Sequence, residues 1–287
     1  MPKKKTSGSV LPPEPLKPII SVACGIVVYN NNDDQISDLS LSIKSQTVSD
    51  ALLRTYVWDN GSIKNYECLS PAFSGSDKTN LGFGKSHNLL MKKAFDDGAH
   101  YYICINPDGI LHPECIQQML SMAQKFSDRA LIEAVQCPVE HPKPYDPFTF
   151  DTPWASGACF LISRLIWEAV GGFDENFFMY CEDVDLSWSV KEAGFSVKIC
   201  PTALFYHDTT DRRPHFAKDK LLFLSARYLG EKWGCSEFRQ LVDRLMVEQG
   251  YIQDARYLPE IEISQIRPLN TNIVEFRQLF NFALPRW

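Results

Sequence analysis

Three short apolar runs, each closed by a polar turn, constrain the architecture of this chain more than any other feature. Ile19 to Tyr29 (IISVACGIVVY), Leu53 to Trp58 and Tyr101 to Ile105 (YYICI) are rich in β-branched and aromatic residues. Runs of this kind read as strands of a parallel sheet buried on both faces. Helical segments lie between and after them: Asp38 to Gln46, with Leu39, Leu41 and Ile43; Gly84 to Ala94, with Leu89, Leu90 and Ala94 along one side; and Pro113 to Phe126. Leu131 to Val135 supplies a fourth strand. Strand and helix thus alternate over about 120 residues, which predicts an α/β fold with helices on both faces of a mainly parallel sheet.

In such sheets ligands bind beyond the carboxyl ends of the strands. Here those ends carry Tyr29-Asn30-Asn31, Asp59-Asn60-Gly61-Ser62 and Asn106-Pro107-Asp108-Gly109. Asn, Asp and Gly make turns in any loop. Their recurrence at three consecutive strand ends points further, to polar groups converging on a ligand.

The second half of the chain is less regular. Glu140 to Pro153 holds four prolines (Pro142, Pro144, Pro147 and Pro153) and reads as a loop, a candidate mobile segment. Gly157 to Ile162 reads as a strand followed by a helix to Val170, and Phe195 to Ile199 as a last strand before Tyr206-His207-Asp208. From Phe216 onward the pattern is helical, with Phe216, Leu221, Leu222, Leu224, Tyr228 and Trp233 interleaved with Lys218, Lys220, Arg227 and Lys232.

Composition removes several function classes. A net charge of −6 argues against nucleic-acid binding, which calls for a basic surface. Nine cysteines, an odd number without a C-x-x-C pair, suit free thiols in a reducing cytoplasm better than a disulfide framework or a zinc site. No apolar run is long enough to span a membrane. Met1 to Lys17 combines Lys3-Lys4-Lys5 with prolines and lacks an apolar signal core, so residues 1–17 are expected to form a disordered leader.

The richest stretch chemically is Gly171-Gly172-Phe173-Asp174-Glu175-Asn176-Phe177-Phe178-Met179-Tyr180-Cys181-Glu182-Asp183-Val184-Asp185. Its acids follow an aromatic run and open a helix that extends to about Ala193. Carboxylates among aromatic side chains are costly unless paired or used, although acids also suit any helix N-terminus. On a regular helix Asp183 and Asp185 point to nearly opposite sides, whereas Glu182 and Asp185 share a face. Asp183, in the first turn, is therefore the expected base, and Asp185 caps or orients the site. Asn80-Leu81-Gly82-Phe83-Gly84, with Asn88 beyond it, fails as a dinucleotide fingerprint, because His87 takes the third glycine position and the motif does not follow the first strand. Its glycines still permit close backbone approach to a phosphate or ribose. Asp108, ending a buried strand, is well placed to hold Mg²⁺ or Mn²⁺ against a diphosphate, the plainer alternative being an Asn-Pro turn with a solvated Asp. His207 is a lone histidine, more often structural than a ligand.

Taken in order and spacing, these motifs resemble the inverting family 2 glycosyltransferases of the GT-A fold, and within them the bacterial rhamnosyltransferase-like group. The resemblance covers roughly Ile19 to Arg227. It rests on Gly25-Ile26-Val27-Val28-Tyr29-Asn30, Trp58-Asp59-Asn60-Gly61-Ser62, Asn80 to Gly84 with Asn88, Asn106-Pro107-Asp108, Gly171 to Glu175, and Glu182-Asp183-Val184-Asp185. It implies that Tyr29, Asn30 and Asp59 hold the nucleotide base, and that Gly82, Phe83, Gly84, Asn88 and Asn106 lie by the nucleotide and donor sugar. It further implies that Asp108 binds the metal with His207 completing the site, and that Asp183 is the base with Glu182 and Asp185 in support. Ser189 stands where the family often has Arg, and Asn106 replaces the first acid of D-x-D.

The implied layout is a leader over 1–17, a nucleotide-sugar-binding catalytic domain over 18–210 and a C-terminal helical extension over 211–287. The implied donor is a nucleotide sugar, dTDP-rhamnose foremost. The implied acceptor is a saccharide or lipid-linked glycan, met in the cytoplasm or peripherally at the inner face of the plasma membrane. Other donors (galactofuranose, N-acetylglucosamine, glucose), a two-carboxylate glycoside hydrolase and a non-catalytic nucleotide-sugar binder are the competing readings at this level.

Overall fold

The structure, a computed structural model, describes residues 19–61, 66–141, 143–207, 215–263 and 265–276. The expected leader, residues 1–17, lies outside them. The elements run β1 (Ile20–Val28), α1 (Asp33–Lys44), β2 (Ala51–Asp59), β3 (Phe73–Gly75), α2 (Phe83–Asp96), β4 (Tyr101–Ile105), β5 (Ile110–Leu111), α3 (Cys115–Lys125), β6 (Ala130–Cys137), β7 (Cys159–Ser163), α4 (Arg164–Val170), α5 (Glu182–Glu192), β8 (Ser196–Tyr206), α6 (Phe216–Lys232) and α7 (Ser236–Glu248).

The eight strands form one sheet in the order β3-β2-β1-β4-β7-β6-β8-β5. β1 pairs in parallel with β2 and β4, β2 with β3, and β6 with β8. β7 runs antiparallel between β4 and β6, and β5 pairs antiparallel with β8. The sheet is thus mainly parallel, as expected, with one reversed strand in its centre. β7 is buried at all five positions, and a fully buried strand carries the same apolar signature whichever way it runs.

β1 explains why its sequence is apolar throughout. Val22, Cys24, Ile26 and Val28 join the core on one face, with α1 and α3. Ala23 and Val27 join the core on the other, with α2, α4 and α5. α1 begins five residues earlier than its apolar spacing suggests. The signal is a capping box, in which the Asn32 side chain accepts from the Gln35 N–H and the Gln35 side chain accepts from the Asn32 N–H.

A third core joins the C-terminal helices to the acid-motif helix. Trp188 of α5 meets Trp233 edge-on at 5.6 Å, amid Trp154, Phe177, Phe223 and Phe238. Lys232 lies inside this junction, 2.6 Å from Asp174 and 2.8 Å from Asp185, and Arg227 pairs with Asp243. Two of the four basic residues interleaved along α6, Arg227 and Lys232, are therefore structural. Beyond α7 the described chain is irregular apart from a short 3₁₀ turn at Ala255–Tyr257.

The proline-rich loop after β6 is tied down rather than loose. Lys198 bonds the Thr149 carbonyl at 2.9 Å and Asp151 at 2.8 Å, and Lys191 bonds the Pro153 carbonyl at 2.8 Å. Lys143, in the loop itself, is buried against Glu133 of β6 at 2.6 Å.

Candidate active site

The parallel strands bring their carboxyl ends to one rim. Asp59 ends β2 in register with Val28 of β1, so Tyr29, Asn30 and Asp59 stand side by side. Tyr29 is half exposed, while Asp59 is buried and accepts from the Gly61 N–H at 3.0 Å. Asn30 takes the left-handed conformation, with φ 55°. Next to Asp59, Asn60 donates to the Gly82 carbonyl at 3.0 Å and accepts from the Leu81 N–H at 3.2 Å and the Ser86 hydroxyl at 2.8 Å. Asn60 is thus the bolt between the second strand end and the glycine-containing segment. Only its place in the D-N-G turn marked it in the sequence, because its partners lie more than twenty residues away.

That segment is itself bolted to the acid motif. The Phe83 N–H donates to the Phe178 carbonyl at 3.1 Å. A Cβ on Gly82, whose φ is +83°, would fall 2.1 Å from the same carbonyl. The sequence suggests glycines that admit a ligand; at Gly82 the close approach is to another stretch of this chain. Gly84 packs its bare Cα against Phe173 in the same manner. Asn88 clamps the motif further along, accepting from the Phe173 N–H at 2.8 Å and donating to the Phe173 carbonyl at 2.9 Å. The amide of Asn88 is occupied in holding this loop.

Asn106 ends the β4–β7 ladder by donating its N–H to the Ala158 carbonyl at 2.8 Å. Two residues on, the Asp108 carboxylate lies 3.4 Å from His207 Nε2, although 99 positions separate them in the chain. His207 is buried at the end of β8, and its Nδ1 lies 3.0 Å from Gln136 Oε1. Gln136 thereby orients the ring so that Nε2 faces Asp108. Ring orientation by such an outer partner is characteristic of histidines that ligate metals. Two protein donors of this type suit Mg²⁺ or Mn²⁺, which keep waters and take phosphate oxygens for the rest of their sphere. Among the described residues no group of three or more His, Cys, Asp or Glu is placed to hold a metal ion.

The three acids of α5 have separate surroundings. Asp183 is partly exposed, and its Oδ2 accepts from the Gly157 N–H at 2.8 Å while Oδ1 accepts from the Val184 N–H at 2.8 Å. Loss of hydration raises its pKa, opposed by those two N–H groups and by nearby Lys143. Asp185 is buried and held by Lys232 and by the Trp233 indole, both at 2.8 Å. Glu182 is buried, and its Oε2 has no hydrogen-bond partner among the described residues. Burial and the neighbouring charge of Asp183 drive Glu182 far above the usual carboxylate range. Gly157 precedes Ala158, the partner of Asn106, so Asp183 and the Asp108–His207 pair share one rim. Two adjacent non-glycine residues with positive φ, Tyr180 at 72° and Cys181 at 65°, lead the chain into α5 and aim that first turn. Glu133, Gln136 and Lys143 were not legible as site residues, since nothing local in the sequence marks them.

No family model matches the chain. The N-acetylglucosaminyl-diphospho-decaprenol L-rhamnosyltransferase of Mycobacterium tuberculosis is 34% identical over 142 residues, 44% of this chain and 44% of the relative. This chain thus spans less than half the length of that relative. The rhamnosyltransferase WbbL of Escherichia coli K12 is 24% identical over 249 residues, 72% of this chain and 92% of the relative. Among solved structures, GalNAc-T7 with UDP, GalNAc and Mn²⁺ superposes with a TM-score of 0.65 at 12% identity, covering 92% of this chain and 56% of that one. The mannosyltransferase PcManGT of Pyrobaculum calidifontis, in complex with GDP-Man and Mn²⁺, gives 0.57 at 12% identity over 82% and 77%. In sequence the chain is similar to rhamnosyltransferases, and in fold it has the GT-A architecture. Residues 1–349 of Staphylococcus aureus TarS agree, at a TM-score of 0.56 and 14% identity over 80% of this chain and 70% of that one. Within the GT-A architecture the rim formed by Asp59, Asp108, Asp183 and His207 is the carboxyl edge of the sheet, where the strand order directs a ligand.

Proposed function

We propose that this chain is an inverting, metal-dependent glycosyltransferase that moves L-rhamnose from dTDP-rhamnose to a saccharide acceptor in bacterial polysaccharide or O-antigen synthesis. The observation that carries the reading is the meeting of Asp108 with His207, 3.4 Å apart, on the same rim as Asp183. A sugar hydroxyl is a weak nucleophile and needs a base as it attacks. Asp183 has its carboxylate aimed by two N–H groups, and its raised pKa makes it a stronger proton acceptor than an ordinary aspartate. Asp108 and His207 would hold a divalent cation, which would supply charge neutralisation for the departing nucleoside diphosphate. Tyr29, Asn30 and Asp59 line the nucleotide end of the rim. One direct displacement inverts the anomeric centre, by the stereochemical logic of single-displacement glycosidases.

The acceptor in this reading is a lipid-linked glycan, in keeping with the N-acetylglucosaminyl-diphospho-decaprenol substrate named for the mycobacterial relative. No helix among the described residues is long and apolar enough to cross a membrane. The proposed place of work is the cytoplasmic face of the plasma membrane, with peripheral contact through the start of α6, where Phe216 and Lys218 are exposed.

Thermal-shift titration with dTDP-rhamnose, UDP-galactofuranose, UDP-N-acetylglucosamine and UDP-glucose, with and without Mn²⁺, tests the donor and the metal together. A ligand at about a hundred times its dissociation constant stabilises the fold by about 2.7 kcal/mol. The expected result is a Mn²⁺-dependent shift, largest with dTDP-rhamnose, that Asp108→Ala abolishes. An equal shift in Asp108→Ala removes the metal assignment, and a larger shift with another sugar nucleotide changes the donor.

A further inference from the structure

Three buried side chains link the centre of the sheet to Asp183. Tyr102 and Cys104 lie on β4 and His87 on α2, and each is fully buried. The Tyr102 hydroxyl is 2.7 Å from His87 Nδ1, and His87 Nε2 is 3.3 Å from Cys104 Sγ. Cys104 Sγ is also 3.3 Å from the Gly157 carbonyl oxygen, and the Gly157 N–H donates to Asp183 Oδ2 at 2.8 Å. Space for the first member is provided by Gly25 on β1, where a Cβ would stand 1.8 Å from the Tyr102 hydroxyl.

Proton counting fixes the direction of these bonds. The Gly157 carbonyl needs a donor, and the Cys104 thiol has one proton to give. With that proton on Gly157, His87 Nε2–H must donate to the sulfur, so Nδ1 must accept from Tyr102 O–H. The ring is then neutral in a single tautomer, consistent with burial pushing its pKa down to about 3. Reversing the chain strands the Tyr102 proton and leaves the Gly157 carbonyl without the thiol.

We propose that Tyr102, His87 and Cys104 form a one-way hydrogen-bond chain that holds the Gly157 backbone and, through its N–H, aims the carboxylate of Asp183. His87 and Cys104 are therefore positioning residues for the base. Gly157 has no side chain to fix its own orientation, and a Cβ there would stand 3.2 Å from the Phe83 ring and 3.5 Å from Asp183 Oδ2. The thiol supplies the restraint that a side chain would otherwise give. The inference rests on the reading of Asp183 as base, and its test has one part that needs no turnover.

That part is long-range ¹H–¹⁵N NMR of the His87 ring in the full chain at neutral pH. The expected pattern is the neutral Nε2–H tautomer, perturbed in Cys104→Ala. A neutral Nδ1–H ring or a charged imidazolium overturns the chain, whether or not donor turnover is found. The second part is a double-mutant cycle. Cys104→Ala should lower kcat by roughly ten-fold or more, as small misplacements of catalytic groups do, with the donor KM unchanged. Cys104→Ser, which keeps a donor and an acceptor, should recover most of the loss. In an Asp183→Asn background Cys104→Ala should cost nothing further. An equal loss in both backgrounds makes Cys104 merely structural and overturns the inference. Absence of turnover with every sugar nucleotide instead overturns the transferase reading and leaves the tautomer to decide the chain.

Discussion

Asp183, Glu182 and Asp185 occupy one turn of α5 yet have little in common. Asp185 is committed to Lys232 and Trp233, Asp183 is partly open and aimed by two N–H groups, and Glu182 is enclosed with no partner at Oε2 among the described residues. The division between Asp183 and Asp185 was legible from helical geometry, because residues two apart leave a helix on nearly opposite sides. What enclosed Glu182 was not legible, since Gly84 and the Phe173 loop approach it from distant parts of the chain. The state of Glu182 has a measurable consequence. Its pKa is raised in the folded protein, so over a range above the unfolded value of about 4.3 the native state holds a proton that the unfolded chain has released. Its contribution to stability is full below that value and is lost as pH rises toward the folded value. Glu182→Gln mimics the protonated form at every pH. The melting temperature of the wild type should therefore fall relative to Glu182→Gln between pH 5 and pH 8. Parallel curves would show that Glu182 is ionised in the fold.

Among the elements, long apolar runs declared themselves and short or reversed ones did not. β4 was legible to the residue, and the helices of the sheet layers to within two residues apart from the start of α1, which lies five residues before its apolar spacing. β3 and β5 have three and two residues, too few for any periodicity to register. β8 runs to Tyr206, well past its apolar start, because it crosses a bulge opposite Ala134 and Val135 to pair again with β6. The direction of β7 could not be read at all, since burial on both faces erases the alternation that would reveal its neighbours. α6 shows how a surface-looking pattern can be internal. Lys232 interleaves with apolar residues as in a membrane-surface helix, but it bridges Asp174 and Asp185 beneath the acid motif. Removing one member of a buried ion pair strands the others, at a cost of about 3–5 kcal/mol. Lys232→Gln should accordingly lower the melting temperature by several degrees, whereas Lys218→Gln, on the exposed start of α6, should leave it unchanged. Equal melting temperatures for both variants and the wild type would detach α6 from the site.

At the scale of the whole molecule, the GT-A sheet gathers the carboxyl ends of β1, β2, β4 and β8 at one rim, and the second half of the chain closes around it. α5 delivers Asp183, the lysine-pinned loop after β6 carries Lys143 up to Glu133 beside it, and α6 fastens the acid motif from behind. The sheet, the rim and the resemblance to rhamnosyltransferases were legible because each rests on short contiguous motifs. The supports were not, because Asn60, Gln136, Lys143 and Lys232 act on partners remote in sequence and belong to residue types common on any surface. The central claim is that Asp183 deprotonates an acceptor sugar while the diphosphate of dTDP-rhamnose departs beside Asp108 and His207. Its most direct measurement is transfer from dTDP-rhamnose to a polyprenyl-diphosphate-linked N-acetylglucosamine in the presence of Mn²⁺, with wild type and Asp183→Asn compared under single-turnover conditions. The account predicts rhamnosyl product of inverted anomeric configuration from the wild type and a rate lower by roughly 10²-fold or more in the variant, the scale of a lost general base, with donor affinity preserved. A wild-type rate retained by Asp183→Asn, or a product of retained configuration, would contradict it.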